Sequence, residues 1–135
     1  MLKFSKQADY GLLLMLSLAE GYVVDKAAWL SLKDISDQRK VSYRFMTQIV
    51  RPLRKAKLVE SREGVSGGYR LTRAPKKITT GDVLRAILGE VEPSTCTSKK
   101  GCSKEDCCPA KPIWFKIQET VNTVLDTTPL TALLS

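Results

Sequence analysis

The segment Cys96-Thr-Ser-Lys-Lys-Gly-Cys102-Ser-Lys-Glu-Asp-Cys107-Cys108 holds all four cysteines and is the chemical centre of the chain. Cys96, Cys102 and Cys108 have five residues between each successive pair. Structural zinc sites pair their ligands across spacers of about two to four residues, which this spacing does not match. Adjacent Cys107 and Cys108 point in different directions and do not easily grip one tetrahedral ion. Widely spaced thiolates around Gly101 suit a larger polynuclear centre, an iron–sulfur cluster. Lys99, Lys100 and Lys104 favour the thiolate form and offset the charge of a ligated cluster. Three spaced cysteines leave one ligand to find, and the chain has no histidine. Cys107, or a carboxylate from elsewhere, must serve. Zinc and a cluster-free thiol switch stay open as alternatives. The missing imidazole also removes the usual catalytic triads, and no base–nucleophile set is present, so an enzyme is not expected.

A second group of residues points to nucleic acid. From Arg39 to Lys57 there are seven Lys/Arg and no Asp or Glu, within a chain of net charge +8 and pI ≈ 9.5. Such a concentration of positive charge is an electrostatic footprint for phosphates. Binding to protein through a solvated basic face is the blander alternative.

The elements that position these groups can be read in order. Ser31-Leu-Lys-Asp34 has capping-box spacing and starts a short helix with Leu32 and Ile35 inward. Gln38 to Val41 suits a tight turn. Ser42 is a good N-cap for a second helix, Tyr43 to about Lys57. There Phe45, Met46, Ile49, Val50 and Leu53 share one face, opposite Arg44, Thr47, Gln48, Arg51, Arg54 and Lys55. Pro52 is expected to kink or break this helix. Leu58–Arg62 and Tyr69–Thr72 alternate like half-buried strands around a Gly-rich tip, Glu63–Gly68. Two short helices followed by such a hairpin make a winged helix-turn-helix. The fold class is therefore mainly α with a small β wing.

Before this unit, Ala8, Leu12, Met15, Leu16 and Ala19 mark a buried first helix, with Asp9 in its first turns and Gly21 placed to end it. After it, Thr79-Thr-Gly-Asp82 caps a short helix through Leu88, which Gly89 stops. Lys111 to Asp126 is a long helix whose stripe, Trp114, Ile117, Val121, Val124 and Leu125, is better explained by packing on a second copy than on its own domain. The chain divides into a winged helix-turn-helix domain, 1–78, and a cysteine-loop and dimerisation region, 79–135. No run of about 18 apolar residues and no signal-peptide pattern is present, so a cytosolic protein is expected.

Ser5-Lys6, Asp9-Tyr10-Gly11, Leu53 to Val59, Gly67-Gly-Tyr-Arg-Leu71 and the five-and-five cysteine spacing ahead of Trp114 resemble the Rrf2 family of bacterial transcription regulators, the IscR/NsrR type. The resemblance covers nearly the whole chain. It implies a homodimer with a long C-terminal dimerisation helix that binds double-stranded DNA at a palindromic operator, without a membrane. It also implies a 2Fe–2S or 4Fe–4S cluster that tunes binding, with Cys96, Cys102 and Cys108 as ligands. One branch of the family completes its set with a histidine, but Lys111 occupies that position here. Another branch uses an acidic residue of the partner subunit's first helix, which Asp9 matches; Cys107 is an alternative. By the same resemblance Ser42, Tyr43, Arg44, Thr47 and Gln48 face the major groove, and Arg62 reaches the minor groove. Arg can read guanine and Gln adenine by paired hydrogen bonds, while Lys40, Arg51 and Arg54 suit phosphate contacts.

Overall fold

A computed structural model describes residues 5–90 and 109–134. The cysteine loop, and with it every reading placed on Cys96, Cys102, Cys107 and Cys108, lies outside the described residues.

Helix α1 (Lys6–Val24) runs through the centre of the molecule, with Leu14, Met15, Leu18 and Ala19 almost wholly buried. It packs against α2 (Leu32–Arg39), α3 (Tyr43–Lys55) and α4 (Thr80–Leu88), and against the second strand of the wing. The main core unites Met46, Ile49, Val50 and Leu53 of α3 with those α1 residues, and adds Ile78, Val83 and Leu130 from further along the chain. The wing is an antiparallel pair, β1 (Val59–Arg62) and β2 (Gly68–Leu71), with Val59 opposite Leu71 and Arg62 opposite Gly68. Helix α5 (Lys111–Thr127) follows, then a short 3-10 turn (Leu130–Leu133).

Gly21 does not end α1, which continues to Val24 and closes where the Asp25 N–H donates to the Gly21 carbonyl. A Cβ on Gly21 would lie 2.6 Å from Leu30 Cδ1. The glycine is there for close approach, a tertiary requirement that local sequence does not announce. Pro52 does not break α3, which runs unbroken to Lys55; the apolar stripe on both sides of the proline is buried, and that burial offsets the lost hydrogen bond. At Ser31 only half of a capping box forms, the side chain accepting from the Asp34 N–H at 3.3 Å. The reciprocal box belongs to Thr79 and Asp82. The turn after α2 is a single left-handed residue, Lys40.

The stripe on α5 divides. Its C-terminal half is held by its own domain: Leu125 is buried with Ala8 and Leu84, and Thr80 Oγ1 donates to the Leu125 carbonyl at 3.1 Å. Arg85 grips Asp126 at 2.6 and 3.2 Å. Further toward its N-terminus, Ile113 and Phe115 remain 50 and 43 % exposed.

Candidate nucleic-acid interface

The buried stripe of α3 fixes which side chains face out. With Met46, Ile49, Val50 and Leu53 inward, Tyr43, Arg44, Gln48, Arg51 and Arg54 are all exposed, as is the N-cap Ser42. Ser42 Oγ accepts from the Phe45 N–H at 3.4 Å, so the helix presents a capped, electropositive N-terminus. Thr47 is half-buried, and its hydroxyl donates back to the Arg44 carbonyl at 2.6 Å. Tyr10 of α1 meets Phe45 edge-to-face, the centroids 5.1 Å apart, and so braces the start of α3.

The basic run separates into two parts. Arg39 serves the fold: Nε donates to Ser17 Oγ at 2.8 Å and Nη2 reaches Glu20 at 3.1 Å. Lys40, Arg44, Arg51, Arg54, Lys55 and Lys57 are exposed and have no carboxylate partner among the described residues. Lys6 extends this field from α1; it lines one groove with Lys40, Ser42, Arg44 and Gln48. Sequence reasoning passed over Lys6 as a site residue, since only the packing of α1 on α3 brings it there.

On the wing, Arg62 is exposed, donates to the Ser66 carbonyl at 2.7 Å, and lies 4.6 Å from the centre of the Trp29 ring. Arg70, paired with Glu60, lies 4.2 Å from the same ring. Gly68 has φ +144°, and a Cβ there would meet the Leu30 carbonyl oxygen at 2.4 Å. That contact follows from Leu30 pairing its backbone with Tyr69 in both directions, at 2.9 and 2.8 Å, which anchors the wing to the connector after α1.

Of the suggested cluster ligands only Asp9 lies within the described residues. It is exposed in the first turn of α1 and has no hydrogen-bond or ion-pair partner among them. It borders an open groove of about 610 Å³ walled by Leu12, Leu84, Leu125 and Leu133. Among the described residues no three His, Cys, Asp or Glu side chains come together as a metal-holding group. The donor set is compatible with an iron–sulfur cluster, because three thiolates plus one accessible, uncommitted carboxylate supply four ligands without histidine. No helix among the described residues is long and apolar enough to cross a membrane.

Comparison with known proteins agrees with this geometry. The Rrf2 family model, described as an iron-dependent transcriptional regulator, matches residues 4–135. The HTH-type transcriptional regulator CymR of Bacillus subtilis is 37 % identical over 99 % of this chain and 91 % of its own length. IscR of Aliivibrio salmonicida is 32 % identical over 93 % of this chain and 73 % of its own. The solved structure of CymR, titled the global cysteine regulator of B. subtilis, superposes with TM-score 0.83 at 38 % identity, covering 98 % of this chain and 96 % of that one. T. potens IscR superposes with TM-score 0.78 at 30 % identity, covering 98 and 85 %.

Proposed function

The chain belongs to the Rrf2 family of transcription regulators, which are not enzymes, and from that premise we propose a cytoplasmic, homodimeric repressor whose grip on DNA depends on an iron–sulfur cluster. The observation that carries the DNA-binding part is the outward face of α3. It concentrates unpaired cations beside side chains able to read base edges, and its N-terminus is capped and accessible. Arg44 and Gln48 are the base readers, with Ser42, Tyr43 and Thr47 around them. Lys40, Arg51 and Arg54 hold phosphates, and Arg62 of the wing enters the minor groove. Two copies joined through the exposed part of α5 would set two such heads on a palindrome, about one helical turn (~34 Å) apart. In this division residues 1–78 read DNA and 79–135 carry the cysteine loop and the dimer contact.

Cys96, Cys102 and Cys108 would hold the cluster, with Asp9 of the partner subunit, or else Cys107, as fourth ligand. When bound, an iron–sulfur cluster supplies a centre sensitive to iron supply, redox state and nitric oxide. The exposed, uncommitted Asp9 carboxylate supports its place in the set. The test of the DNA reading is selection of duplexes from a random pool, followed by a salt titration. A palindromic site bound with a steep fall of log K against log salt is expected; failure to enrich any duplex overturns the reading.

A second reading is favoured by the likeness to a protein titled a cysteine regulator: the same DNA-binding dimer with a cluster-free thiol or zinc switch. Iron, sulfide and zinc analysis of protein purified without air separates the two. Iron and sulfide in equal amounts favour the cluster. Zinc alone, or no metal, favours the second reading.

A further inference from the structure

We propose that Trp29 is a positioning residue for DNA recognition: its ring is the platform that aims the wing arginine, Arg62. This rests on the DNA-binding reading above and extends it to a residue outside both the recognition helix and the wing. Glu60 and Arg62 on β1 and Gly68 and Arg70 on β2 lie on one face of the hairpin, since they form the pairs 60–70 and 62–68. Trp29 covers that face, with the Arg62 guanidinium 4.6 Å and the Arg70 guanidinium 4.2 Å from its ring centre.

The platform cannot drift, because the next residue, Leu30, is tied to Tyr69 by two backbone hydrogen bonds. The Arg70 charge is met by Glu60, so the second cation does not push Arg62 away. Arg62 Nη2 spends one donor on the Ser66 carbonyl at the tip, which fixes the direction of the guanidinium, and its remaining N–H groups have no partner among the described residues. An exposed arginine at a hairpin tip would otherwise sample many rotamers and lose that freedom on entering a groove. Held by an aromatic ring and one carbonyl, it has given up most of that freedom beforehand.

The test uses the full-length protein and a duplex selected by the wild type from a random pool. Trp29→Leu should weaken binding roughly threefold to fivefold, the size of one exposed cation–π contact. Trp29→Phe, which keeps an aromatic face, should recover most of it. In an Arg62→Ala background Trp29→Leu should add no further loss, because the ring then has no reader to aim. Thermal unfolding of each variant gives the control for folding. An equal loss from Trp29→Leu with and without Arg62, or Trp29→Phe as weak as Trp29→Leu, overturns the proposal, as does an Arg62→Ala variant that binds like the wild type. If the wild type enriches no duplex, the DNA reading itself fails, an outcome distinct from these.

Discussion

Both helices of the reading head end on a lysine held in the left-handed conformation, and replacing either with glycine should raise stability. Lys40 has φ 57° and Lys57 φ 61°, the positive-φ non-glycine residues among those described. Each closes a Schellman-type cap. The Lys40 N–H donates to Asp37 at 3.4 Å and the Val41 N–H to Ser36 at 3.0 Å. The Lys57 N–H donates to Arg54 at 2.9 Å and the Leu58 N–H to Leu53 at 3.0 Å. An L-residue in this conformation costs about 1–2 kcal/mol. Glycine relieves that but loses roughly 0.5–1 kcal/mol through the entropy of the unfolded chain. Lys40→Gly and Lys57→Gly should therefore each add about 0.5–1 kcal/mol, a rise in Tm of roughly 2–5 °C in a chain of this size. Thermal unfolding at matched protein concentration measures it. The two should part company on DNA. Lys40 borders the groove at the start of α3, so Lys40→Gly should weaken duplex binding and flatten its salt dependence. Lys57, beyond the other end of α3, should be dispensable. Variants that are neutral or less stable would refute the strain argument, and Lys40→Gly binding like wild type would refute the phosphate contact.

Further expectations follow from the same geometry. Arg51→Gln should lower the slope of log K against log salt by about 1.8 per dimer, one phosphate contact per subunit, with little change in Tm. Gly68→Ala meets both a positive φ and the Leu30 carbonyl at 2.4 Å, so it should cost roughly 1–3 kcal/mol, read in urea unfolding, and loosen the wing. The hydrogen bond from Arg85 holds the Asp126 carboxyl below the usual carboxylate range. A depressed folded pKa gives stability that is complete above the unfolded pKa near ~4 and is lost as pH falls through the folded value. Asp126→Asn should therefore flatten the acid side of the stability–pH curve below about pH 4. At neutral pH it should change little, because the pair is exposed.

Local signals carried much of this fold. The stripe on α3, the Ser42 and Thr79 caps and the Gly-tipped hairpin each rest on residues a few positions apart, and each appears where its pattern puts it. What escaped depends on distant partners. Gly21 looked like a terminator because its need for Leu30 is tertiary. Pro52 looked like a breaker because the core contacts holding α3 together on either side of it are not written in the helix itself. Arg39 counted toward the basic face until its bonds to Ser17 and Glu20 removed it. Lys6 and Trp29 joined the interface only through packing, since neither sits in a motif. The cysteine spacing is the reverse case: it speaks clearly in sequence, and its chemistry depends on a fourth donor that another subunit may have to provide, for which Asp9 is the candidate on α1.

The most direct measurement is duplex affinity as a function of cluster content. Protein purified without air is compared, on its selected palindrome, with the same sample stripped of iron and sulfide and with Cys102→Ser. A dimer in all three states, with affinity differing by about tenfold or more between the loaded and stripped forms (roughly 1.4 kcal/mol) and Cys102→Ser matching the stripped form, is the predicted result. Identical affinities across the three, or an anaerobic preparation containing neither iron nor sulfide, would contradict it.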